Sequence, residues 1–487
     1  MLMKSPQDSQ GDFEKDLIEA DICILGAGPG GVALALAATG YGQSVVLVEK
    51  HKMGGTSLNY GAVPGVALAA AAERAHAFRT ASAFGIHPFE PAVDRGALAA
   101  SIAEAVAAEA PNVSIERLTG LGVHVARGIG RFADPKTVIA GQHRIVARRF
   151  VIATGCSPVV PPIEGLDSAP YFTTDSIYGS REPLDHLIVI GGGASGIEIA
   201  QAQRRLGARV TIIERDTALK RYDAELASVV CGRLVHEGVV VLEAAEPRSV
   251  EWQAGRVRVE VQRDGQDSKI EGSHLLVACG RRPAIADLGL KEAKIAFSDE
   301  GIKVNASLRT SNRRVYALGD ATGLPHSTNR AQYHAALLAR TLLFRQAGVV
   351  QPELIPSVLH TDPELATVGL SEAEAIAKRR QIQVLRWPVR ENVRAQTLKA
   401  PEGHIKVIAE RTGKILGAAI VSAQAGELIQ VWALAVQRGL TVEDMSGWIA
   451  PYPSLGELAR NSGLNRAAAA SGHAVSRSWV KLLAKLG

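Results

Sequence analysis

Two stretches of the chain carry glycines at a spacing that brings backbone N–H groups against a phosphate: Gly26-Ala-Gly28-Pro-Gly-Gly31 and Gly191-Gly-Gly193-Ala-Ser-Gly196. Each follows a short apolar run, Ile22-Cys-Ile-Leu25 or Leu187-Ile-Val-Ile190, and each opens a helical pattern, to about Thr39 or through Leu206. A second apolar run follows, Ser44–Val48 or Val210–Ile213, closed by an acid, Glu49 or Glu214. A lone Gly-x-Gly-x-x-Gly is a weak signal, but strand, glycine loop, helix, strand and terminal acid together are the βαβ fingerprint of dinucleotide binding. The glycines let backbone N–H groups and a helix N-terminus meet a pyrophosphate, while the acid accepts hydrogen bonds from a ribose. Two dinucleotides are therefore expected. Glu214 would hydrogen-bond an unsubstituted ribose and repel a 2′-phosphate, which favours NADH over NADPH, although Arg215 beside it weakens the argument.

The elements that position these loops need a long chain. At 487 residues, 47% of them hydrophobic, the length suggests roughly three domains with ordinary cores. The balance of 54 basic to 49 acidic residues gives only +5, and nucleic-acid motifs are absent. No run of 18 apolar residues occurs, and residues 1–19 are polar and acidic rather than a signal peptide, so a cytoplasmic protein with a flexible tail over residues 1–20 is expected. Cys23, Cys156, Cys231 and Cys279 are widely separated, with neither a Cys-x-x-Cys nor a His cluster, so no metal site or local redox pair is readable. Cys23 and Cys279, in apolar strand-like runs, read as buried core thiols, and Cys156 as a structural thiol near a domain surface.

Three further motifs lie between and beyond the fingerprints: Val151-Ile-Ala-Thr154-Gly155, Val277-Ala-Cys-Gly280-Arg-Arg-Pro283 and Val315-Tyr-Ala-Leu-Gly-Asp320. With these, the chain from about residue 21 to about 463 resembles the flavoprotein disulfide reductase family, which includes glutathione reductase, lipoamide dehydrogenase and mercuric reductase. The resemblance implies an α/β architecture: two Rossmann-like dinucleotide-binding domains plus a C-terminal α+β dimerisation domain, working as a homodimer. FAD would be held by residues 21–158 and 281–350, NAD by 159–280, and the dimer interface would lie in 351–463. By the same resemblance Gly26, Gly28 and Gly31 serve FAD, with Glu49 and Lys50 at its adenosine ribose. Gly54, Gly55 and Thr56 follow the diphosphate, and Gly130, Thr154, Gly155 and Ala331 complete that site. Asp320 meets the ribityl chain, or is simply a turn residue after a strand. Gly191, Gly193, Gly196, Glu214 and Gly280 serve NAD.

The C-terminal part is similar to the mercuric-reductase-like branch, through Pro356-Ser-Val-Leu-His-Thr-Asp-Pro-Glu364, Glu391-Asn-Val-Arg-Ala395, Ala425-Gly-Glu-Leu-Ile429 and Pro451-Tyr-Pro-Ser454. The stretch Ser327–Ala335 resembles that branch's helix beside the flavin, whose N-terminal N–H groups could stabilise negative charge, but Asn329 and His334 differ from the residues expected there.

The departures carry as much information. Where the family's first long helix bears two cysteines, this chain reads Gly54-Gly-Thr-Ser57-Leu-Asn-Tyr-Gly-Ala62-Val-Pro-Gly-Val66. A serine hydroxyl cannot cycle through a disulfide and an alanine offers no donor, so dithiol–disulfide exchange by the family mechanism is excluded at this site. Val66 stands in place of the lysine that would pair with the acid of the second glycine-loop helix, Glu198, which remains readable as a cofactor contact or as a structural residue. The family's His-Pro-x-x-x-Glu becomes Tyr452-Pro-Ser-Leu-Gly-Glu457. Tyrosine is a poor base at neutral pH but can donate a hydrogen bond to an acceptor's oxygen, or merely pack at the interface. Tyr452, Glu457, Glu198 and Ser57 are the candidate catalytic residues.

What remains is an FAD-dependent NAD(P)H oxidoreductase passing electrons from flavin directly to a small non-disulfide acceptor, a quinone above others. Two alternatives stand beside it: a metal-ion reductase, for which thiolate ligands are lacking, and a flavin-binding partner or sensor with reduced turnover. Over residues 464–487 a basic amphipathic tail places Trp479, Leu482, Leu483 and Leu486 on one helix face and Arg477, Lys481 and Lys485 on another. Such a segment either makes weak contact with the inner face of a membrane or packs on the protein itself.

Overall fold

A computed structural model describes residues 16–378, 381–462 and 481–484. Contacts divide the chain into two units, one gathering residues up to Gly55, Ala110–Cys156 and Pro283–Val350, the other Thr56–Glu109, Ser157–Arg282 and the chain from Gln351 onward.

The first unit is built on a seven-stranded sheet. Strand Asp16–Leu25 lies between Val45–Glu49 and His143–Ile152, all parallel, and Val123–Arg127 extends one edge in the same sense. Thr137–Ala140 and Gly130–Asp134 add antiparallel strands on the other side, and Val315–Ala317 pairs parallel with His143–Ile152. The central strands are buried on both faces, which is why they read as unbroken apolar runs rather than alternating ones. Helices Pro29–Gly40 and Thr328–Phe344 pack together over one face, with Leu34, Ala35 and Leu338 wholly enclosed.

One expectation fails here. Residues 16–20, read as the end of a flexible tail, are the first half of the central strand, with Asp16 opposite His143 and Ala20 opposite Ala147. The strand outruns its buried stretch: Ile18 and Ala20 only flank the core while Leu17 faces solvent, so hydropathy fades before the backbone ladder does.

In the second unit a parallel sheet runs in the order Val240–Leu242, Arg209–Ile213, His186–Ile190, His274–Val277, Phe172–Thr173. An antiparallel three-stranded sheet, Ala245–Gln253, Arg256–Arg263 and Gln266–Gly272, follows in sequence. A five-stranded antiparallel sheet is formed after residue 351, with helix Ala425–Arg438 packed on it through Ile429 and the fully buried Trp432. The helices Ala62–Thr80 and Ala194–Arg205 meet through Leu68, Ala72, Ala75, Ala202 and Leu206.

Candidate active site

The two glycine loops have the same geometry. Gly26 has φ +111°, and a Cβ there would lie 2.4 Å from the Ala153 carbonyl oxygen; one on Gly31 would lie 2.0 Å from the Gly26 oxygen. Gly191 and Gly196 repeat this, with φ +110° at the first and clashes at 2.5 and 2.1 Å. No side chain is tolerated at these four positions because strand, loop and helix are in backbone contact. Gly28 and Gly193 differ: a Cβ on either meets nothing within 4 Å. They are the N-caps of Pro29–Gly40 and Ala194–Arg205, and neither helix start is capped by a side chain. Each loop therefore keeps open space beside uncapped helix N–H groups, the form of a phosphate cradle.

The closing acids are fixed alike. Glu49 accepts hydrogen bonds from the Ala27 N–H at 2.8 Å and the His51 N–H at 2.7 Å, and Glu214 from the Gly192 N–H at 2.7 Å and the Asp216 N–H at 2.8 Å. Both carboxylates thus hold their own loop. Lys50 is exposed. Gly54 donates its N–H to the Ala27 oxygen, and Gly55, at φ +61°, approaches Gly28 so closely that a Cβ would lie 2.8 Å from its Cα.

Further along the first unit, the Thr154 hydroxyl is buried and makes no hydrogen bond among the described residues. An orphaned buried donor beside an open cradle is the mark of a site that a polar ligand completes, so these residues fit the FAD that the resemblance implies. Asp320 accepts the Ser327 N–H at 3.1 Å and the Cys156 thiol at 3.0 Å. Cys156, expected near a surface, is instead buried, with its thiol turned to the Asp320 carboxylate. Donor atoms of Cys156, Asp320 and His326 all lie within 4.8 Å of one another, so a metal ion and the ribityl chain would compete for one carboxylate.

Gly130 and Ala331 have packing reasons of their own. A Cβ on Gly130 would strike Leu25 and Val48, and Ala331 sits where Gly30 and Gly319 come closest to its helix. His334, unassigned by sequence, accepts the Gly319 N–H through Nδ1 at 3.1 Å, and burial pushes its pKa down to about 4. It is thus a neutral buttress under the Gly319–Asp320 turn. Only its departure from the family pattern marked it in the sequence.

In the second unit Ser57 and Ala62 do not share a helix. Ser57 lies in Gly55–Asn59 and Ala62 opens Ala62–Thr80, with Gly61 as N-cap. Pro64 explains the break: its ring would collide with the Tyr60 carbonyl in a continuous helix, whereas within the first turn it is tolerated. Ala62 and Val66 are exposed. Gly65 allows the Tyr178 hydroxyl to approach, since a Cβ would lie 3.3 Å from it.

Glu198 follows the second glycine loop on Ala194–Arg205, and its Oε1 accepts the His360 N–H at 2.7 Å. The carboxyl lies deep among protein atoms although some of its surface remains accessible, and this burial pushes its pKa up. Gly280, at φ +96°, accepts the Val159 N–H at 2.9 Å through its carbonyl.

None of the four cysteines is in a disulfide. Cys23 is fully buried, as expected. Cys279 is not: it is exposed, lying beyond the end of strand His274–Val277, where the apolar run has already left the sheet. Tyr452 is 74% exposed, and Glu457 accepts the Ser454 N–H at 3.3 Å rather than any group of Tyr452. The tail lies outside the described residues apart from 481–484, where Leu482 and Leu483 are exposed. No helix among the described residues is long and apolar enough to cross a membrane.

Comparison with known proteins matches residues 20–335 to the pyridine nucleotide-disulphide oxidoreductase model and residues 355–462 to that family's dimerisation domain. The chain belongs to the pyridine nucleotide-disulphide oxidoreductase family. It is 32% identical to a mercuric reductase of Bacillus cereus, covering 92% of this chain and 71% of that one. To a dihydrolipoyl dehydrogenase of Thermus scotoductus it is 34% identical, covering 90% and 95%. The Cu(II) complex of the HOCl-induced flavoprotein disulfide reductase RclA from Escherichia coli superposes with a TM-score of 0.81 at 25% identity, over 91% of this chain and 99% of that one. Members of the family use FAD and NAD(P)H, and its dimerisation domain supports a homodimer. The α/β fold and the family expected from the motifs are thus those found.

Proposed function

We propose that the protein is an FAD-dependent NADH oxidoreductase that delivers electrons to a small non-disulfide acceptor, a quinone being favoured. The observation that carries this reading is the pair Ser57 and Ala62, together with four cysteines none of which is in a disulfide. When bound, FAD accepts a hydride from a nicotinamide and passes electrons on, chemistry for which no protein thiol is needed. The chain's own residues would bind and orient. Gly28 and Gly193 leave room for the two pyrophosphates, Thr154 and Asp320 offer hydrogen-bonding groups to FAD, and Glu214 favours NADH by repelling a 2′-phosphate. Glu198 would face the nicotinamide. Tyr452, with its hydroxyl exposed, is able to donate a hydrogen bond to a quinone oxygen, with Glu457 holding the turn behind it.

A second reading, metal-ion reduction, is favoured by the mercuric reductases among the relatives. Against it stand the thiols themselves. Burial raises the Cys231 thiol to about 11 and pushes Cys23 higher still, so neither offers a ready thiolate to a soft ion.

The deciding experiment mixes the FAD-loaded protein with NADH anaerobically and then adds quinones, disulfides and Hg(II) or Cu(II) salts in turn. Repeated recovery of the flavin absorbance with a quinone alone is expected. Recovery only with a disulfide or only with a metal salt would refute the quinone reading.

A further inference from the structure

No spacing in the sequence marks a metal site, yet the fold of the first unit brings three donor side chains together. Cys156 opens the short strand Cys156–Pro158, Asp320 lies in the turn Gly319–Thr322, and His326 precedes Ser327, the N-cap of helix Thr328–Phe344. One sulfur, one carboxylate oxygen and one imidazole nitrogen from these residues all lie within 4.8 Å of one another. The Cys156 sulfur is already 3.0 Å from Oδ2 of Asp320. Around a tetrahedral zinc ion two such ligand atoms stand roughly 3.3–3.6 Å apart. Closing the set therefore takes shifts on the order of 1 Å, within the reach of side-chain rotation.

The loop that carries two of the three ligands is braced. Oδ1 of Asp320 accepts the Ser327 N–H at 3.1 Å, which leaves Oδ2 facing the thiol. Ser327 Oγ accepts the Arg330 N–H at 3.1 Å, and the Arg330 guanidinium returns to the loop. It donates to the carbonyls of Gly323 and Pro325, the latter at 3.0 Å, and to the Thr322 hydroxyl at 3.0 Å. This guanidinium, a cation that acts on Asp320, is thus turned to loop oxygens. Cys156 is 8% exposed, while Asp320 and His326 are half-buried, so an ion would enter a partly desolvated pocket. One sulfur, one nitrogen and one oxygen suit a borderline ion such as Zn(II), whereas Mg(II) or Ca(II) would find a single carboxylate.

We propose that Cys156, Asp320 and His326 form a site for a divalent ion of the zinc class in the FAD-free protein, and that the ion and FAD exclude each other. The exclusion rests on the reading that Asp320 meets the ribityl chain of FAD. Binding joins the ion to the Cys156 sulfur and releases the thiol proton to solvent, with no change of oxidation state. The ion takes the place of the flavin and accepts no electrons from it, so the cluster governs cofactor loading.

The test titrates the full-length protein, stripped of FAD, with Co(II) and then with Zn(II). Circular dichroism, and recovery of flavin binding when FAD is restored, check the fold. One Co(II) per chain should bind with a thiolate-to-metal charge-transfer band, and Zn(II) should displace it. Cys156→Ser should abolish the band, and His326→Gln should weaken Zn(II) binding by more than about tenfold. Zn(II) held at about ten times its own Kd should weaken FAD binding about tenfold, reversibly with a chelator, and should leave Cys156→Ser unaffected. Absence of the band, or a band that survives Cys156→Ser, overturns the site. FAD affinity that ignores saturating Zn(II) overturns the exclusion. A second measurement needs no stripped chain: excess Zn(II) added to dilute FAD-loaded protein should release more flavin fluorescence from the wild type than from Cys156→Ser, and equal release overturns the proposal. If FAD fails to bind with or without Zn(II), the functional reading falls, while the Co(II) band still judges the site.

Discussion

The repeated geometry of the two closing acids makes a comparison between Glu49→Gln and Glu214→Gln unusually informative. Glu49 is 8% exposed and accepts two backbone N–H groups, from Ala27 and His51. A glutamine keeps the shape but has one carbonyl oxygen for two donors. One charge-assisted hydrogen bond, worth about 1.5–3 kcal/mol, is lost, and the other falls to neutral strength, so about 3 kcal/mol is removed from the loop. For a unit of this size the melting temperature should drop by roughly 6–12 °C. FAD affinity should weaken at least about tenfold, since Ala27 sits inside the pyrophosphate loop. Glu214 makes the matching bonds in the second unit, so Glu214→Gln should weaken NADH binding by a similar factor and leave FAD content near that of the wild type. Flavin fluorescence titration and equilibrium NADH binding measure the two effects. If Glu49→Gln retains FAD with unchanged affinity, or if Glu214→Gln sheds FAD as readily, the assignment of one dinucleotide to each loop is wrong.

Other expectations follow from single residues. His334 is depressed to about 4 from 6.5, so the native form stays neutral while the unfolded chain takes up a proton; stability should be intact above pH 6.5 and fall by up to about 3 kcal/mol as pH drops towards 4, a loss that His334→Gln removes in urea titrations at graded pH. Gly31→Ala should fail to bind FAD, because its Cβ would lie 2.0 Å from the Gly26 oxygen and the helix must shift, as absorbance of the purified protein will show. Ser57→Ala should keep NADH-dependent quinone turnover within about twofold if the hydroxyl is no nucleophile, measured by steady-state kinetics. Replacing Glu214 by Ala should reduce the preference for NADH over NADPH by about tenfold in kcat/KM.

The loops were legible because their constraint is local. Gly26 and Gly191 need a positive φ, Gly31 and Gly196 need backbone contact, and both conditions are met by glycine at fixed offsets that leave a pattern in the sequence. The break between Ser57 and Ala62 was written there too, in Pro64, but it was hidden by reading the segment against a family whose helix was taken as one piece. Strand residues 16–20 escaped because a hydrogen-bonded ladder continues past the end of an apolar run. Cys279 misled for the complementary reason, since it stands in an apolar run that has left the sheet. The contacts made by His334 and His360 could not be read from spacing at all: Glu198 meets His360 across 162 positions, through a fold rather than a motif.

The central claim is that electrons leave the flavin without passing through a protein disulfide, and an anaerobic titration with NADH tests it most directly. A protein whose only redox centre is FAD takes up two electrons, so one equivalent of NADH per FAD should bleach the flavin fully, with the same four thiols titrated on denaturation before and after reduction. An end point near two equivalents per FAD, with new thiols formed, would mean a redox-active disulfide and would contradict the account.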